Sequence, residues 1–253
     1  MIVLKSDREI SLMLKAGEIV GKVFEKLNGE IKPGVKTKQL DKSAKEKIES
    51  LGGRPAFFGY KGFPGNICTS INNVVVHGIP GEQRLTEGDI ISLDVGAEFE
   101  GYYADAAITI AVGNISKEAK RLIDVTECSL SSGIEQARAK NRLSDVTAAI
   151  QGFVEKNGFS VVRAFVGHGI GSRMHEEPEI PNFKWIKEDV RLEPGMTLAI
   201  EPMVNQGTYD VKIMEDGWTA VTRDGKLSAH FEHTILITEE EPKILTLWQK
   251  KKQ

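Results

Sequence analysis

Apolar positions recur along the chain at two spacings, one suited to helices and the other to strands. From Ser6, with Glu9 three residues on, Ile10, Met13, Leu14, Val20, Val23, Phe24 and Leu27 return at helical intervals and predict an amphipathic helix opened by a capping box. A second helix is predicted from Thr37, with Leu40, Ala44, Ile48 and Leu51 on one stripe and Gly52 and Gly53 as its stop. Ser116 and Ser144 read as N-caps of two more helices. The first carries Leu122, Ile123, Val125 and Leu130, and the second carries Val146, Ile150 and Phe153 before Asn157 and Gly158. Segments rich in Val, Ile, Thr and aromatics predict strands at 74–77, 90–96, 102–112, 160–166, 196–204, 211–214, 218–222 and 231–237. The order is helix pair, strands, helix pair, strands.

That order is matched by a repeat of residues. Arg84-Leu85 and Gly88 lead to Leu93-Asp94, while Arg191-Leu192 and Gly195 lead to Ile200-Glu201, ten residues from Arg to carboxylate each time. VVVHGIPG at 74–81 likewise echoes FVGHGIG at 165–171. The expectation is an α+β fold of two duplicated halves, at 6–112 and 116–240 of a single domain 1–253, with sheets inside and helices outside to cover each apolar face. A site would then lie between the halves.

Composition narrows the partners. The 253 residues carry 33 Lys and Arg against 36 Asp and Glu, a net charge of -3 that gives no electrostatic surplus toward nucleic acid or an acidic membrane. The 2 cysteines, Cys68 and Cys128, argue for a reducing compartment and against a disulfide framework, so the cytoplasm is the expected location. No run of ~20 apolar residues and no export signal is visible, so neither a membrane span nor secretion is expected. The basic WQKKKQ close reads as a solvated end.

The chemistry concentrates in a few segments. In ISLDVGAEFEGYYADAAITI, Asp94 and Asp105 flank a predicted hairpin turn near Phe99–Gly101, where their odd separation makes them cross-strand or diagonal partners on one face. Two like charges among apolar neighbours are costly without a cation, and an exposed acidic face is the alternative. His168 sits in FVGHGIG between glycines that allow close backbone approach. Glu201 is an acid in the otherwise apolar TLAIEPMV, and Glu232 repeats the anomaly in HFEHTILI. Alternation turns His233 to the face opposite Glu232, so His233 and His230 are expected to stand behind the ligands or to be structural. Four carboxylates and one imidazole, Asp94, Asp105, His168, Glu201 and Glu232, are better balanced by two divalent ions than by one, with a hydroxide held between them. Oxygen-rich ligation with a single imidazole suits Mn²⁺, Fe²⁺ or Co²⁺ as well as Zn²⁺. The aromatic and Gly/Pro-rich GGRPAFFGYKGFPGNICTS suits an apolar pocket wall or a core-forming loop. Nothing around Cys68 suggests a depressed pKa, so it is a poor nucleophile.

LDVG with its second Asp eleven residues on, then GHGIG, MHEEP, AIEP and FEHT in this order, resembles the type I methionine aminopeptidases of the pita-bread fold, from the first helix to the last strand. The resemblance implies that the five residues above are the dinuclear ligands, with Asp105 and Glu232 bridging and Glu201 also the general base. It implies that His77 in VVVHGIP and His175 in SRMHEEP contact the scissile peptide, and that Tyr60, Phe63, Cys68 and Trp218 line a methionine pocket. A monomeric enzyme is expected, trimming the initiator Met from nascent polypeptides, with the ribosome a place to meet them, when the second residue is small and uncharged. Prolidases and Xaa-Pro aminopeptidases share the five ligands but carry a large N-terminal domain for which there is no room. A binding module without activity is the remaining alternative, against which the intact ligand set argues.

Overall fold

The computed structural model describes residues 2–184 and 189–248 of the chain; the basic stretch at 249–253 lies outside them. Four helices form where the periodicity places them: α1 (Asp7–Asn28), α2 (Thr37–Ser50), α3 (Lys117–Gln136) and α4 (Leu143–Lys156), except that Leu51, expected on the α2 stripe, lies past the end of that helix and is exposed. At the start of α1 the Glu9 carboxylate accepts from the Ser6 N–H at 2.8 Å and its Oγ at 2.7 Å. The Ser116 Oγ accepts the Ala119 N–H at 3.0 Å to open α3. The start of α4 departs from expectation by two residues. Arg142 is the cap, because the Asp145 carboxylate accepts its N–H at 2.8 Å, while the Ser144 hydroxyl is turned to Asp189 at 3.0 Å.

The helices cover one face of a nine-stranded antiparallel sheet. Its path runs through Arg54–Pro55, Ile90–Phe99, Tyr102–Ala111, Glu232–Leu236, Thr197–Ile200, Gly167–Gly169 and Glu176–Ile180, with Cys68–Ile71 and Lys243–Ile244 attached at the sides. Strands of the two halves meet where Tyr102–Ala111 pairs directly with Glu232–Leu236. On the helix side, Leu93, Val95, Ala104, Ala106 and Ile108 pack with Val20, Val23, Phe24 and Leu27 of α1 and with residues of the other three helices in one core. Each fully buried large aliphatic or aromatic side chain there contributes about 1.5–3 kcal/mol. Two small three-stranded sheets complete the fold.

The halves repeat down to backbone hydrogen bonds. Leu85 exchanges bonds with Gly34 and Val35, at 2.7 and 2.8 Å, and Leu192 does so with Lys140 and Asn141, at 3.0 and 2.8 Å. Gly34 and Lys140 both have positive φ, +91° and +78°. Lys36 bridges Arg84 as Arg142 bridges Arg191.

Three strand boundaries need correction. The 196–204 segment is two strands in different sheets, Thr197–Ile200 and Met203–Asn205, because Pro202 has no N–H to continue the ladder. The 160–166 segment pairs only at Ser160–Val161, its remainder forming an irregular loop, and 218–222 pairs only from Ala220. A strand was expected to run into His168, and it forms at Gly167–Gly169; the strands Cys68–Ile71 and Glu176–Ile180 were not expected, their Ser, Pro and Glu content hiding them from a hydrophobic pattern.

Candidate active site

Side-chain alternation in the large sheet delivers the acids to one face. The hairpin register pairs Asp94 with Ala107 and Gly96 with Asp105, so the two aspartates are diagonal neighbours on one side. The turn joining their strands is made by Glu100 and Gly101, both at positive φ (+47° and +85°), as a tight hairpin of matching twist requires. Glu232 also lies opposite Ala107, and His233 pairs with both Ala106 and Ile200, which puts Glu201 on the Glu232 side. His168 pairs with Ala199, two residues before Glu201, and so faces the same way. Four adjacent strands and the residue just past the end of a fifth, Thr197–Ile200, thus present one donor each on the face away from the helices. At Gly167 a Cβ would stand 2.3 Å from the Ala199 carbonyl, and at Gly169 one would stand 2.1 Å from that of Glu177. Only glycine lets the His168 strand lie between its neighbours.

All of the residues singled out from the sequence line one cavity of about 310 Å³: Asp94, Asp105, His168, Glu201, Glu232, His77, His175, Tyr60, Phe63, Cys68 and Trp218. On its floor, donor atoms of Asp105, His168 and Glu232 all lie within 4.8 Å of one another. The His168 Nε2 is 3.6 Å from Glu201 Oε1, while its Nδ1 lies 2.9 Å from the Gly169 carbonyl, which accepts the Nδ1 proton and leaves Nε2 as the inward lone pair. Asp94 Oδ1, Asp105 Oδ1 and Glu232 Oε1 are buried without a hydrogen-bond partner among the described residues.

Burial is the main electrostatic fact here. It raises Asp94 from its ordinary 3.8 to about 7. It raises Asp105, Glu201 and Glu232 well above the usual carboxylate range, and the neighbouring acids push each of them higher. Burial and the neighbouring His175 hold His77 and His168 near 4. Buried acids crowded together, with orphaned oxygens and a neutral imidazole aimed among them, fit a divalent cation that would neutralise the charge and take the open lone pairs. The donors fit the metal as a set, although no strand alone would.

Above the floor stands an aromatic wall. Tyr60 stacks on His175 with ring centroids 5.3 Å apart, and its hydroxyl lies 2.9 Å from His175 Nδ1. Phe63 meets Trp218 edge-on at 5.2 Å. Trp218 is placed by Asp216, whose carboxylate accepts the Trp218 and Thr219 N–H groups at 2.9 and 2.8 Å in a turn closed by Gly217 at φ +76°. Burial keeps the Cys68 thiol well above its ordinary pKa, with the nearby Asp94 charge adding to it, so it is a wall atom and no nucleophile. His77 leaves its strand at φ +59° and faces Phe165 edge-on at 5.3 Å.

His233 is structural as expected: its Nδ1 is 2.9 Å from the Thr246 hydroxyl, away from the cavity. His230 is not. It lines the cavity with an unpartnered Nε2, 4.0 Å from Glu201 Oε2. The same alternation that excludes His233 puts His230 two residues from Glu232 on the Glu232 side, so the signal was present and pointed inward. Phe57, from the segment expected to form a pocket wall, lines the cavity too, and Val76, Phe165 and Met203 join it without having been anticipated. Their apolar segments are indistinguishable from core by pattern alone.

Residues 11–239 match metallopeptidase family M24, and the chain belongs to that family, whose members are metal-dependent peptide hydrolases. Within it the chain is similar from end to end to methionine aminopeptidases. That of Clostridium perfringens is 53% identical over 247 residues, covering 98% of this chain and 99% of that protein. The crystal structure of the one from Thermotoga maritima aligns with a TM-score of 0.95 at 46% identity, over 97% of this chain and 99% of that one. The prolidase from Pyrococcus furiosus aligns over 98% of this chain but 66% of its own, at 21% identity and a TM-score of 0.80. That likeness shows the shared fold, so the expected pita-bread architecture holds while the Xaa-Pro reading keeps the fold alone in its support.

Proposed function

We propose that this chain removes the N-terminal methionine of nascent polypeptides whose second residue is small and uncharged, using two divalent ions held by Asp94, Asp105, His168, Glu201 and Glu232. The whole chain acts as one catalytic domain, monomeric and cytoplasmic, meeting its substrates as they leave the ribosome. The observation that carries this reading is the convergence of donors from four adjacent strands and the end of a fifth on one buried face, with three orphaned carboxylate oxygens among them. The end-to-end similarity to methionine aminopeptidases supports the choice of substrate.

Divalent ions bound there supply Lewis acidity and lower the pKa of water toward ~7. Mn²⁺, Co²⁺, Fe²⁺ and Zn²⁺ are all compatible with the donors. The remaining work falls to the chain. Glu201, between the imidazoles of His168 and His230, accepts the proton of the attacking water and passes it to the leaving amine. If the Tyr60 hydroxyl donates to Nδ1 of His175, the Nε2 proton is left to donate into the cavity toward the scissile carbonyl. His77, held beside Phe165 and Trp218, contacts the peptide on the other side. Tyr60, Phe63, Cys68 and Trp218 surround the thioether, for which aromatic faces and a soft sulfur are favourable neighbours.

The test is turnover of Met-Ala and Xaa-Pro peptides by metal-loaded protein. Release of Met from Met-Ala alone is expected. Cleavage of Xaa-Pro peptides alone would turn the reading to a prolidase, and no turnover of either would turn it to a binding module.

A further inference from the structure

The loop at 171–176 carries His175 into the cavity, and it is held from outside by the amino-terminal segment. Lys5 Nζ donates to Glu176 Oε2 at 2.6 Å, with the two side chains only 4% and 5% exposed. The other oxygen of Glu176 closes the loop, accepting the Arg173 N–H at 3.1 Å and the Ser172 hydroxyl at 3.4 Å. The loop is further tied where the Gly171 carbonyl accepts the Tyr103 N–H at 2.9 Å. Lys5 passes so close over Gly171 that a Cβ there would stand 2.4 Å from its Cε. Lys5 is itself anchored by its own N–H, which donates to the Gly195 carbonyl at 2.8 Å, and by its ammonium, which also donates to the Val3 carbonyl at 3.1 Å. Neither Lys5 nor Glu176 lines the cavity.

Apolar residues of the same volume often stabilise a fold as well as a buried ion pair does, which directs attention to the geometry such a pair fixes. Here the geometry it fixes is that of the residue next to His175.

We propose that Lys5 is a positioning residue, which sets His175 for the reaction by clamping Glu176 and the 171–176 loop. The proposal rests on the role given to His175 above. Tyr60 holds the His175 ring from the cavity side and the Lys5–Glu176 pair holds its backbone from behind, so the imidazole is constrained from two directions. A displacement of ~1 Å at a catalytic group can cost on the order of a hundredfold in rate, which makes a clamp outside the cavity consequential.

The experiment compares Lys5→Met, His175→Ala and the double variant, each metal-loaded, by kcat and KM on a Met-Ala-Ser peptide, by bound metal and by Tm. Lys5→Met is expected to lower kcat about tenfold or more with KM changed less than about twofold and bound metal unchanged. In the His175→Ala background the same substitution should change kcat less than about twofold, since it acts through a residue already removed. Equal losses in both backgrounds, or a lowered Tm with unchanged kcat per metal-loaded molecule, would overturn the proposal. Unchanged kcat in His175→Ala itself would instead remove the role of His175 on which it stands. Should Lys5→Met not fold, Glu176→Asp keeps the charge, shortens its arm by one methylene and gives the same comparison.

Discussion

The floor of the cavity is a set of four carboxylates and one imidazole on, or one residue past, five hydrogen-bonded strands, whereas its wall is mostly aromatic rings on loops. The floor residues gain their orientation from sheet register: moving any of these strands by one residue would turn its donor to the helix side. The wall residues gain theirs from local turns, such as the Asp216 turn that sets Trp218, and from ring contacts such as Phe63 against Trp218. Rigid backbone serves the part of the site that must hold charge at fixed distances. In the function proposed, loops serve the part that admits one side chain and releases it. The floor is costly to bury without a ligand, while the wall is apolar and stable by itself.

This contrast can be broken at the floor with the largest effects. Asp94→Asn and Glu232→Gln should each weaken metal binding and lower kcat by at least about a hundredfold, measured by metal content and peptide turnover. Chelation should abolish activity, and Mn²⁺, Co²⁺ or Fe²⁺ should restore it; full activity after exhaustive removal of metal would refute the assignment of the floor. His175→Ala should lower kcat about a hundredfold with metal content intact, because it stands above the floor with Tyr60. Loss of a metal ion in that variant would move His175 into the floor.

At the wall the size of the second residue should be decisive. Met-Ala and Met-Gly peptides should outrun Met-Leu and Met-Lys by about a hundredfold in kcat/KM, since a long side chain beside His77 and Phe165 displaces the scissile carbonyl.

The electrostatic cost of the floor predicts an unusual pH response. In the metal-free protein Asp94 has its pKa raised to about 7, with Asp105, Glu201 and Glu232 also raised, so the stability these groups contribute is present below ~4 and lost as pH rises through the folded values. The buried histidines have depressed values, about 4 for His77 and His168 and about 3 for His230, so their contribution is present above ~6.5 and lost on acidification. The two trends oppose each other below pH ~6.5. Above it only the acids remain, and the Tm of metal-free protein should fall between pH ~6.5 and 8, whereas metal-loaded protein should show no such fall. A flat metal-free profile would mean that the acids are not paying a burial cost.

The smallest effect sharpens the wall. Replacing the substrate Met by norleucine removes only the sulfur, whose aromatic contacts are worth ~0.3–1.5 kcal/mol, so kcat/KM should fall about two- to tenfold. Leucine, branched earlier, should fare worse, and equal rates for Leu and Met would show that Tyr60, Phe63, Cys68 and Trp218 do not select the first residue.

Much of this molecule is determined by its sequence alone, because the signals concerned are local. The caps and stripes of α1 and α3, the start of α2, the Glu100-Gly101 hairpin that sets Asp94 diagonal to Asp105, and the anomalous acids Glu201 and Glu232 in apolar segments follow from spacing and burial cost. Tertiary structure decided what no local pattern contains. It split the Glu201 segment between two sheets at Pro202, moved the α4 cap from Ser144 to Arg142 by giving the Ser144 hydroxyl a distant partner in Asp189, and brought His230 beside Glu201. It also joined Lys5 to Glu176 across 171 residues of sequence. Pairings between distant segments depend on which apolar faces are buried against each other, and chain spacing fixes only the parity of each residue; its neighbours come from the packing of the two halves.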